Sequence, residues 1–284
     1  MNGTLQLPQP TWFVGCGNMG GAILDGWRVG GLDLSPIVVI RPSGRPVEGA
    51  RVVTSAAEAG APPGIVVLAF KPQKLDEVAP ELRRHLSSKT TVVSLLAGVE
   101  AATLRERFPG VGAIVRATPN LPVAIRRGVI GLFSTDADAE TKRELNNIFS
   151  ALGFAMWMAD EQKLGALGAV AGAGPAYVAR FIDALAKAGV KRGLTQEIAS
   201  TLAMETVFGT AWMAATNGES MGSVARRVAS PNGTTEAGLA VLDRDSVLDE
   251  LVARTIDAAA ARGAELADEA KGRSLRYSGP EIRI

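Results

Sequence analysis

The sequence predicts an α/β protein in which a doubly wound, mostly parallel sheet is followed by an all-helical domain. Short β-branched runs alternate with helical stretches as far as residue 158, and most positions in each run are apolar. Such runs are typical of parallel strands covered on both faces. Beyond residue 160 they stop, and long Ala- and Gly-rich helical segments take over. We therefore predict a sheet domain at residues 1–159 and a helical domain at residues 160–284.

Eight segments are candidates for the strands of one sheet. Six alternate with helical stretches, at residues 12–14, 37–40, 52–54, 65–69, 92–96 and 114–115. Two more, at 129–133 and 154–158, flank a polar helix that starts near Asp138. We expect these two to complete the same sheet.

The helical half carries more large apolar side chains than it can bury by itself. Its predicted helices cover residues 177–188, 196–215 and 246–267. The large side chains on its helices include Phe181, Leu185, Met204, Phe208, Trp212 and Met213. We predict that this half packs against a second copy and forms a homodimer. The tail from Lys271 to Ile284 has no apolar period, so we expect it to be loose or held only in an assembly.

Charge and residue counts exclude several classes of function. Thirty Lys and Arg residues against 29 Asp and Glu residues leave a net charge of +1, which argues against nucleic-acid and membrane partners. A single cysteine, Cys16, and a single histidine, His85, exclude an intramolecular disulfide and any site with two Cys or His ligands. We predict no metal, and we interpret His85, in a charged helical stretch, as solvated.

The N-terminal residues give no sign of export. The first ten contain two prolines and neither a charged nor an apolar region of a signal peptide, and no apolar run of the chain reaches membrane-spanning length. With a free thiol, this predicts a cytoplasmic location.

A glycine-rich loop follows the first predicted strand and opens a helix. Its residues are Gly15, Cys16, Gly17, Asn18, Met19 and Gly20. Glycines allow a tight turn and a close approach of the backbone to a pyrophosphate, and the helix presents free N–H groups to its charge. In this context the loop predicts a dinucleotide site in the domain at residues 1–159, although a glycine-rich turn without a ligand remains the alternative.

The end of the second predicted strand favours NADPH. NAD-binding versions of this unit place an acidic residue there to bind the ribose, whereas this sequence has Arg41, followed by Ser43 and Arg45. Two guanidinium groups and a hydroxyl suit a 2′-phosphate, which a carboxylate would repel. NADH stays open as a second cofactor, and the arginines could instead be solvated loop residues.

Further candidate cofactor contacts follow later strands, because ligands of doubly wound sheets lie beyond the carboxyl ends of the strands. The residues after the fourth strand are Ala69, Phe70, Lys71 and Pro72. Those expected near the nicotinamide are Ala97, Gly98 and Asn120.

Six segments in order resemble the pyrroline-5-carboxylate reductase family. They are residues 15–20, 69–73, 116–122, 172–177, 184–190 with 193–194, and 230–235. The resemblance implies a Rossmann-like domain, a helical dimerisation and substrate domain at residues 160–284, and a homodimer or a larger ring of dimers. It also implies that this chain is an NAD(P)H-dependent oxidoreductase. The reaction implied is reduction of the C=N bond of 1-pyrroline-5-carboxylate to give L-proline, the last step of proline biosynthesis.

In that family the loop matching residues 230–235 holds the substrate. The resemblance implies that Thr235 places its hydroxyl near the imine nitrogen and that Ser230, Gly233 and Thr234 bind the substrate carboxylate. A loop that opens a helix supplies free N–H donors for an anion, although the same pattern also describes a simple helix cap. Hydride transfer to an iminium needs mainly proximity and orientation, so a strong general base is not required.

The sequence departs from the family pattern at several small residues. They are Ala56, Gly165, Gly168, Ala171, Ala173 and Asn232. Lost hydrogen-bond partners weaken selection of the substrate, so a sister imine reductase with a different cyclic imine remains an alternative. A non-catalytic NADP-binding dimer is another. A hydroxyacid dehydrogenase is disfavoured, because Lys163 could be its base but Leu167 stands where its asparagine would be.

Overall fold

The computed structural model describes residues 7–8 and 10–274 and divides the chain into two compact units. The first unit runs through Ala173 and resumes at Ala259, and the second comprises Gly174–Ala258. The units are defined by contacts within a single chain. The domain boundary expected after residue 159 therefore stays a prediction.

The first unit is built on one eight-stranded sheet, and the predicted fold class is confirmed. The strands are β1 (Thr11–Val14), β2 (Ile37–Ile40), β3 (Arg51–Val53), β4 (Ile65–Leu68), β5 (Thr91–Ser94), β6 (Ala113–Pro119), β7 (Gly128–Phe133) and β8 (Gly153–Trp157). Their order is β3-β2-β1-β4-β5-β6-β7-β8, and every neighbouring pair is parallel except β6 and β7. The order reverses direction between β1 and β4, which is where doubly wound sheets bind their ligands.

Helices cover both faces of this sheet, which explains why its central strands are mostly apolar. They are α1 (Asn18–Val29), α2 (Leu75–Leu82), α3 (Ala101–Arg107), α4 (Ala139–Ser150) and α5 (Glu161–Leu167). Along β1, Phe13 joins the core with Trp27 of α1 and Phe149 of α4, whereas Trp12 joins the opposite core with Leu82 of α2. Alternate side chains of a strand point to opposite faces, so each strand contributes to two cores.

The second unit is helical and buries little of its own apolar surface. Its helices are α6 (Gly174–Lys191), α7 (Gln196–Asn217), α8 (Met221–Val228), α9 (Thr234–Leu242) and the first part of α10 (Val247–Ser274). Its buried residues are Ala186, Ala199, Ala203, Ala214 and Val224. By contrast, Phe208 is 62% exposed and Trp212 53% exposed within the single chain. This surface is what a homodimer interface would need to cover.

The linking segment and the chain end differ from the expectations drawn from sequence. A π-helical turn at Gly168–Gly172 separates α5 from α6. Residues 271–274 were expected to be loose or held only in an assembly, whereas α10 continues to Ser274 within the single chain. The rest of the predicted tail, 275–284, lies outside the described residues.

Candidate functional site

The predicted cofactor residues of the first unit follow the carboxyl ends of adjacent strands. In the sheet register, Val14 of β1 lies beside both Ile40 of β2 and Leu68 of β4, and Leu68 lies beside Ser94 of β5. Gly15, Arg41 and Ala69 come directly after three of these four residues. The register therefore places the glycine-rich loop, the arginine loop and the segment after β4 at one edge of the sheet.

Gly15 has the backbone geometry and the close contact that only glycine tolerates. Its φ is +81°, and a side chain there would lie 2.7 Å from the carbonyl oxygen of Ala69 and 3.0 Å from Cβ of Phe70. Gly20 is also tightly packed, with its side-chain position 3.1 Å from Cβ of Ala69. The glycines therefore let the loop after β1 pack on the segment after β4 at the switch point of the sheet.

The start of α1 presents free donors to an anion. Gly17 occupies the N-cap position in an extended conformation, and no side chain caps the helix. Within residues 7–8 and 10–274, the N–H groups of Asn18, Met19 and Gly20 have no hydrogen-bond acceptor. Unsatisfied N–H groups at a helix N-terminus suit a pyrophosphate.

Arg41 brings positive charge to the glycine-rich loop. Burial raises the pKa of the Cys16 thiol, while the charge of Arg41 opposes that shift. The Nε atom of Arg41 is buried and has no hydrogen-bond partner in the described part of the chain. A buried donor without an acceptor is costly, so an anionic ligand at Arg41 would relieve that cost.

The two other residues of the arginine loop are exposed. The loop turns through a hydrogen bond from the N–H of Gly44 to the carbonyl of Arg41, and Ser43 Oγ is 3.5 Å from the N–H of Arg45. Ser43 and Arg45 are therefore available to a ligand that reaches Arg41.

The remaining predicted residues of the segment after β4 lie in and just before a short 3₁₀ turn. Phe70 packs against a core of the sheet, and Lys71 precedes the turn Pro72–Lys74 with an exposed side chain. In the loop after β5, Ala97 is exposed, whereas Gly98, with φ +74°, is covered by α10.

Asn120 is buried, and its amide group is engaged within the first unit. Its Nδ2 donates to the carbonyl oxygen of Ala171 at 3.0 Å, and its Oδ1 accepts from the N–H of Val129 at 2.8 Å. Asn120 thus joins the end of β6 to β7 and to the π-helical turn. A contact between Asn120 and the nicotinamide stays a prediction.

In the second unit, the predicted substrate loop opens α9. Asn232 has φ 58° and Gly233 is the N-cap residue, with no side-chain cap on the helix. A side chain at Gly233 would clash with Ser230 Oγ and would lie 2.9 Å from the carbonyl oxygen of Ser230, so the tight turn requires glycine. The carboxylate of Glu236 accepts from the N–H of Asn232 at 2.7 Å and thereby holds the left-handed residue.

One of the predicted N–H donors of this loop is already used within the turn. The N–H of Gly233 donates to the carbonyl of Ser230 at 2.9 Å, so it is used within the turn. Within the described residues, the N–H groups of Thr234, Thr235 and Glu236 have no acceptor. Glu236 was not among the predicted residues, although its place in the first turn of a predicted helix could have indicated it.

Two negative findings concern other kinds of site. None of the helices formed by residues 10–274 is long and apolar enough to cross a bilayer. Among the described residues, no group of three or more His, Cys, Asp and Glu side chains is arranged to hold a metal ion.

His85 is only partly solvated, because its side chain is 27% exposed, hydrogen-bonds Glu81 and lies 6.3 Å from the ring of Trp12.

Two family models match the chain. Residues 161–266 match the model for pyrroline-5-carboxylate reductase dimerisation. Residues 12–98 match the model described as NADP oxidoreductase, coenzyme F420-dependent. The two matches fall on the helical segments and on the glycine-rich loop with the first strands.

Similar proteins match this chain over about nine-tenths of its length. Pyrroline-5-carboxylate reductase of Pseudomonas aeruginosa is 36% identical over 267 residues, which are 90% of this chain and 96% of that protein. The Pisum sativum enzyme of the same name is 33% identical, over 89% and 94% of the two chains. Among solved structures, the pyrroline-5-carboxylate reductase of Coxiella burnetii has a TM-score of 0.83 at 32% identity, covering 92% of this chain and 99% of that one. The Plasmodium falciparum pyrroline carboxylate reductase with NADP bound also has a TM-score of 0.83, at 25% identity, covering 93% and 99%.

Proposed function

We infer from its membership of the pyrroline-5-carboxylate reductase family that this chain is an oxidoreductase that reduces 1-pyrroline-5-carboxylate to proline with NADPH. The observation that carries this inference is the identity of 30% or more with reductases over most of both chains. The loop before α9, taken by itself, indicates only the start of a helix and not a substrate site. The enzyme forms a homodimer through the helical segments that match the dimerisation model.

The first unit would hold the cofactor. Three free N–H groups at the start of α1 suit its pyrophosphate, and Gly15 gives the backbone room to approach. Arg41, together with Ser43 and Arg45, would hold the 2′-phosphate. The buried Nε of Arg41, which has no partner among the described residues, favours an anion at this position. The rest of the cofactor would lie beside the segments Ala69–Pro72 and Ala97–Gly98 and beside Asn120. When bound, the cofactor supplies the hydride that reduces the C=N bond.

The loop before α9 would hold the substrate. The free N–H groups of Thr234, Thr235 and Glu236 favour a carboxylate, and the positive end of the helix dipole acts in the same sense. The turn that places these N–H groups requires glycine at position 233, because a side chain there would clash with Ser230. Thr235 would donate or accept a hydrogen bond at the imine nitrogen through its hydroxyl.

The loop at residues 230–235 carries no strong general base, and the reaction does not need one. Between Ser230 and Thr235 no side chain titrates near neutral pH, and the one adjacent carboxylate, Glu236, is hydrogen-bonded to the backbone. A protonated imine already accepts hydride, so binding and orientation are the protein's main contributions.

Two finer statements stay proposals. A cytoplasmic location rests on the free thiol of Cys16, which suits a reducing compartment. Assembly of dimers into a larger ring rests on the family resemblance, and light scattering of the purified protein would measure it.

Isotope transfer tests the function directly. The purified protein is incubated with 1-pyrroline-5-carboxylate and NADPH deuterated at the transferable position, and the product is analysed by mass spectrometry. We expect proline with one deuterium on the former imine carbon. Binding of NADPH without labelled proline would refute the reductase and leave a non-catalytic NADP-binding dimer or a reductase of another imine.

A further inference from the structure

The last helix packs directly on the loop that follows β5. A side chain at Gly98 would lie 2.8 Å from Cβ of Leu266, 2.9 Å from the carbonyl carbon of Leu266 and 3.0 Å from the N of Ala267. Two of these three atoms belong to the helix backbone and the third, Cβ, is fixed to it, so none of them can move aside as a side-chain tip can. Gly98 is therefore required by this helix contact as well as by its positive φ.

One face of α10 is shaped for this contact. Between residues 261 and 271 only Leu266, Ala267 and Ala270 are partly buried, and the other eight positions are exposed. The three lie on one side of a helix, and Ala270 packs against the core cluster that includes Val99 of the same loop. The two alanines allow the helix to approach the loop closely.

An ion pair fixes the end of this contact. Lys271 Nζ lies 2.6 Å from Glu100 Oε1, and Glu100 comes directly before α3. The hydrogen bond to Glu100 raises the pKa of Lys271. The pair is partly shielded, with the two side chains 48% and 31% exposed.

A second carboxylate holds the other side of the same loop. Glu161 Oε1 accepts from the N–H of Ala101 at 2.9 Å and from Arg116 Nη1 at 2.6 Å. The start of α3 is thus tied to β6 and α5, while Glu100 is tied to α10. The loop at residues 97–100 runs between β5 and this fixed point.

We propose that the C-terminal half of α10 is a clamp that positions the Ala97–Gly98 loop for the nicotinamide, with Lys271 as the positioning residue. The proposal rests on the cofactor site described under the proposed function. Ala97 is exposed while Gly98 is held from the helix side, so the clamp leaves one residue of the loop free for a ligand. A loop held in its binding conformation before the cofactor arrives loses less entropy on binding.

The experiment separates the nicotinamide end of the cofactor from the adenosine end. Dissociation constants are measured for NADPH and for 2′,5′-ADP, which lacks the nicotinamide, with wild type, Lys271→Glu, Lys271→Gln and Lys271→Arg. Arg262→Glu is the matched control, because it makes the same charge change on α10 and its pairs, Glu265 and Glu269, lie in the same helix. Steady-state kcat and KM for the imine are measured on the same proteins.

We expect Lys271→Glu to weaken NADPH about fivefold, the upper range for an ion pair of this exposure, and Lys271→Gln to do so about threefold. Binding of 2′,5′-ADP should be unchanged in both, and Lys271→Arg should behave as wild type. Equal weakening of NADPH and 2′,5′-ADP, or NADPH binding that matches Arg262→Glu, would overturn the clamp. If the wild type reduces no imine but the contrast between the two ligands persists, the clamp stands and the proposed function fails.

Discussion

Replacing Arg41 tests how the enzyme selects its cofactor. The guanidinium lies beside the glycine-rich loop, where its charge opposes the rise in the pKa of the Cys16 thiol. A hydrogen bond to a charged group contributes about 1.5–3 kcal/mol, so losing one to a 2′-phosphate should raise KM for NADPH by roughly 10- to 100-fold in Arg41→Ala. KM for NADH, which has no 2′-phosphate, should stay within about twofold of wild type.

The same substitution should not destabilise the fold. The Nε of Arg41 is buried without a partner, so removal of the side chain also removes an unsatisfied donor. We expect the Tm of the cofactor-free protein to be unchanged or slightly raised. A fall in both Tm and NADH affinity would show that Arg41 supports the loop itself.

The assay is steady-state oxidation of each cofactor with the imine in excess. Arg28→Ala is the control, since Arg28 is an exposed arginine of α1 paired with Asp25 and Glu48. Arg41→Lys should lie between wild type and Arg41→Ala, because lysine keeps the charge but not the planar fork. Equal changes in KM for NADPH and NADH would refute the role of Arg41 in reading the 2′-phosphate.

Three further substitutions test the substrate loop, the dimer and the stability of the sheet. Thr235→Ala should lower kcat by roughly 100-fold if its hydrogen bond acts mainly in the transition state, as measured by steady-state turnover with NADPH. Phe208→Glu should shift the homodimer to monomer in light scattering, because Phe208 is 62% exposed and stacks on Trp212 at the surface of the helical unit. Asp136→Asn should lower Tm at neutral pH and have little effect in strong acid. Burial would raise the pKa of Asp136, but hydrogen bonds from the N–H of Ile114, from Arg105 and from Ser134 outweigh it and lower the pKa. Its stabilisation is therefore present above the unfolded pKa and is lost as the pH falls through the folded pKa.

Each of these has its own control. Thr216→Ala removes a threonine hydroxyl that bonds only its own helix, at Trp212, and should leave kcat unchanged. A Thr235→Ala enzyme as fast as wild type would remove that hydroxyl from the mechanism. A dimer that survives Phe208→Glu would place the interface elsewhere on the helical unit, and a Tm difference for Asp136→Asn that is the same at both pH values would show that its charge is not what stabilises the sheet.

The sequence predicts local features of this fold better than distant ones. Apolar runs marked the central strands, because parallel strands buried on both faces are mostly apolar, and apolar runs also marked the partly exposed edge strands β3 and β8. The antiparallel pairing of β6 with β7 was not specified, since it depends on the turn at residues 121–125, which ends at Arg126 with a left-handed φ of 59°. The π-helical turn at Gly168–Gly172 was also missed, because no local residue pattern distinguishes it from an α-helix.

The candidate site shows the same division. The glycine-rich loop and the arginine loop were recognised from residue types next to predicted strands. Gly98 was chosen for a contact with the cofactor, whereas its glycine is also explained by Leu266, which is distant in sequence. The ion pair of Lys271 with Glu100 joins residues that only the folded chain brings together, so no sequence pattern could have identified it.

The most direct test of the account is turnover of 1-pyrroline-5-carboxylate by the purified protein with NADPH, beside the six-membered cyclic imine. The account predicts that absorbance of the reduced nicotinamide falls rapidly with the five-membered ring and that kcat/KM for this substrate exceeds that for the larger ring by at least about tenfold, the discrimination that one methylene supports. Faster reduction of the six-membered ring would contradict it and identify a sister imine reductase. No turnover of either ring, with NADPH bound, would contradict the assignment of catalysis to this chain.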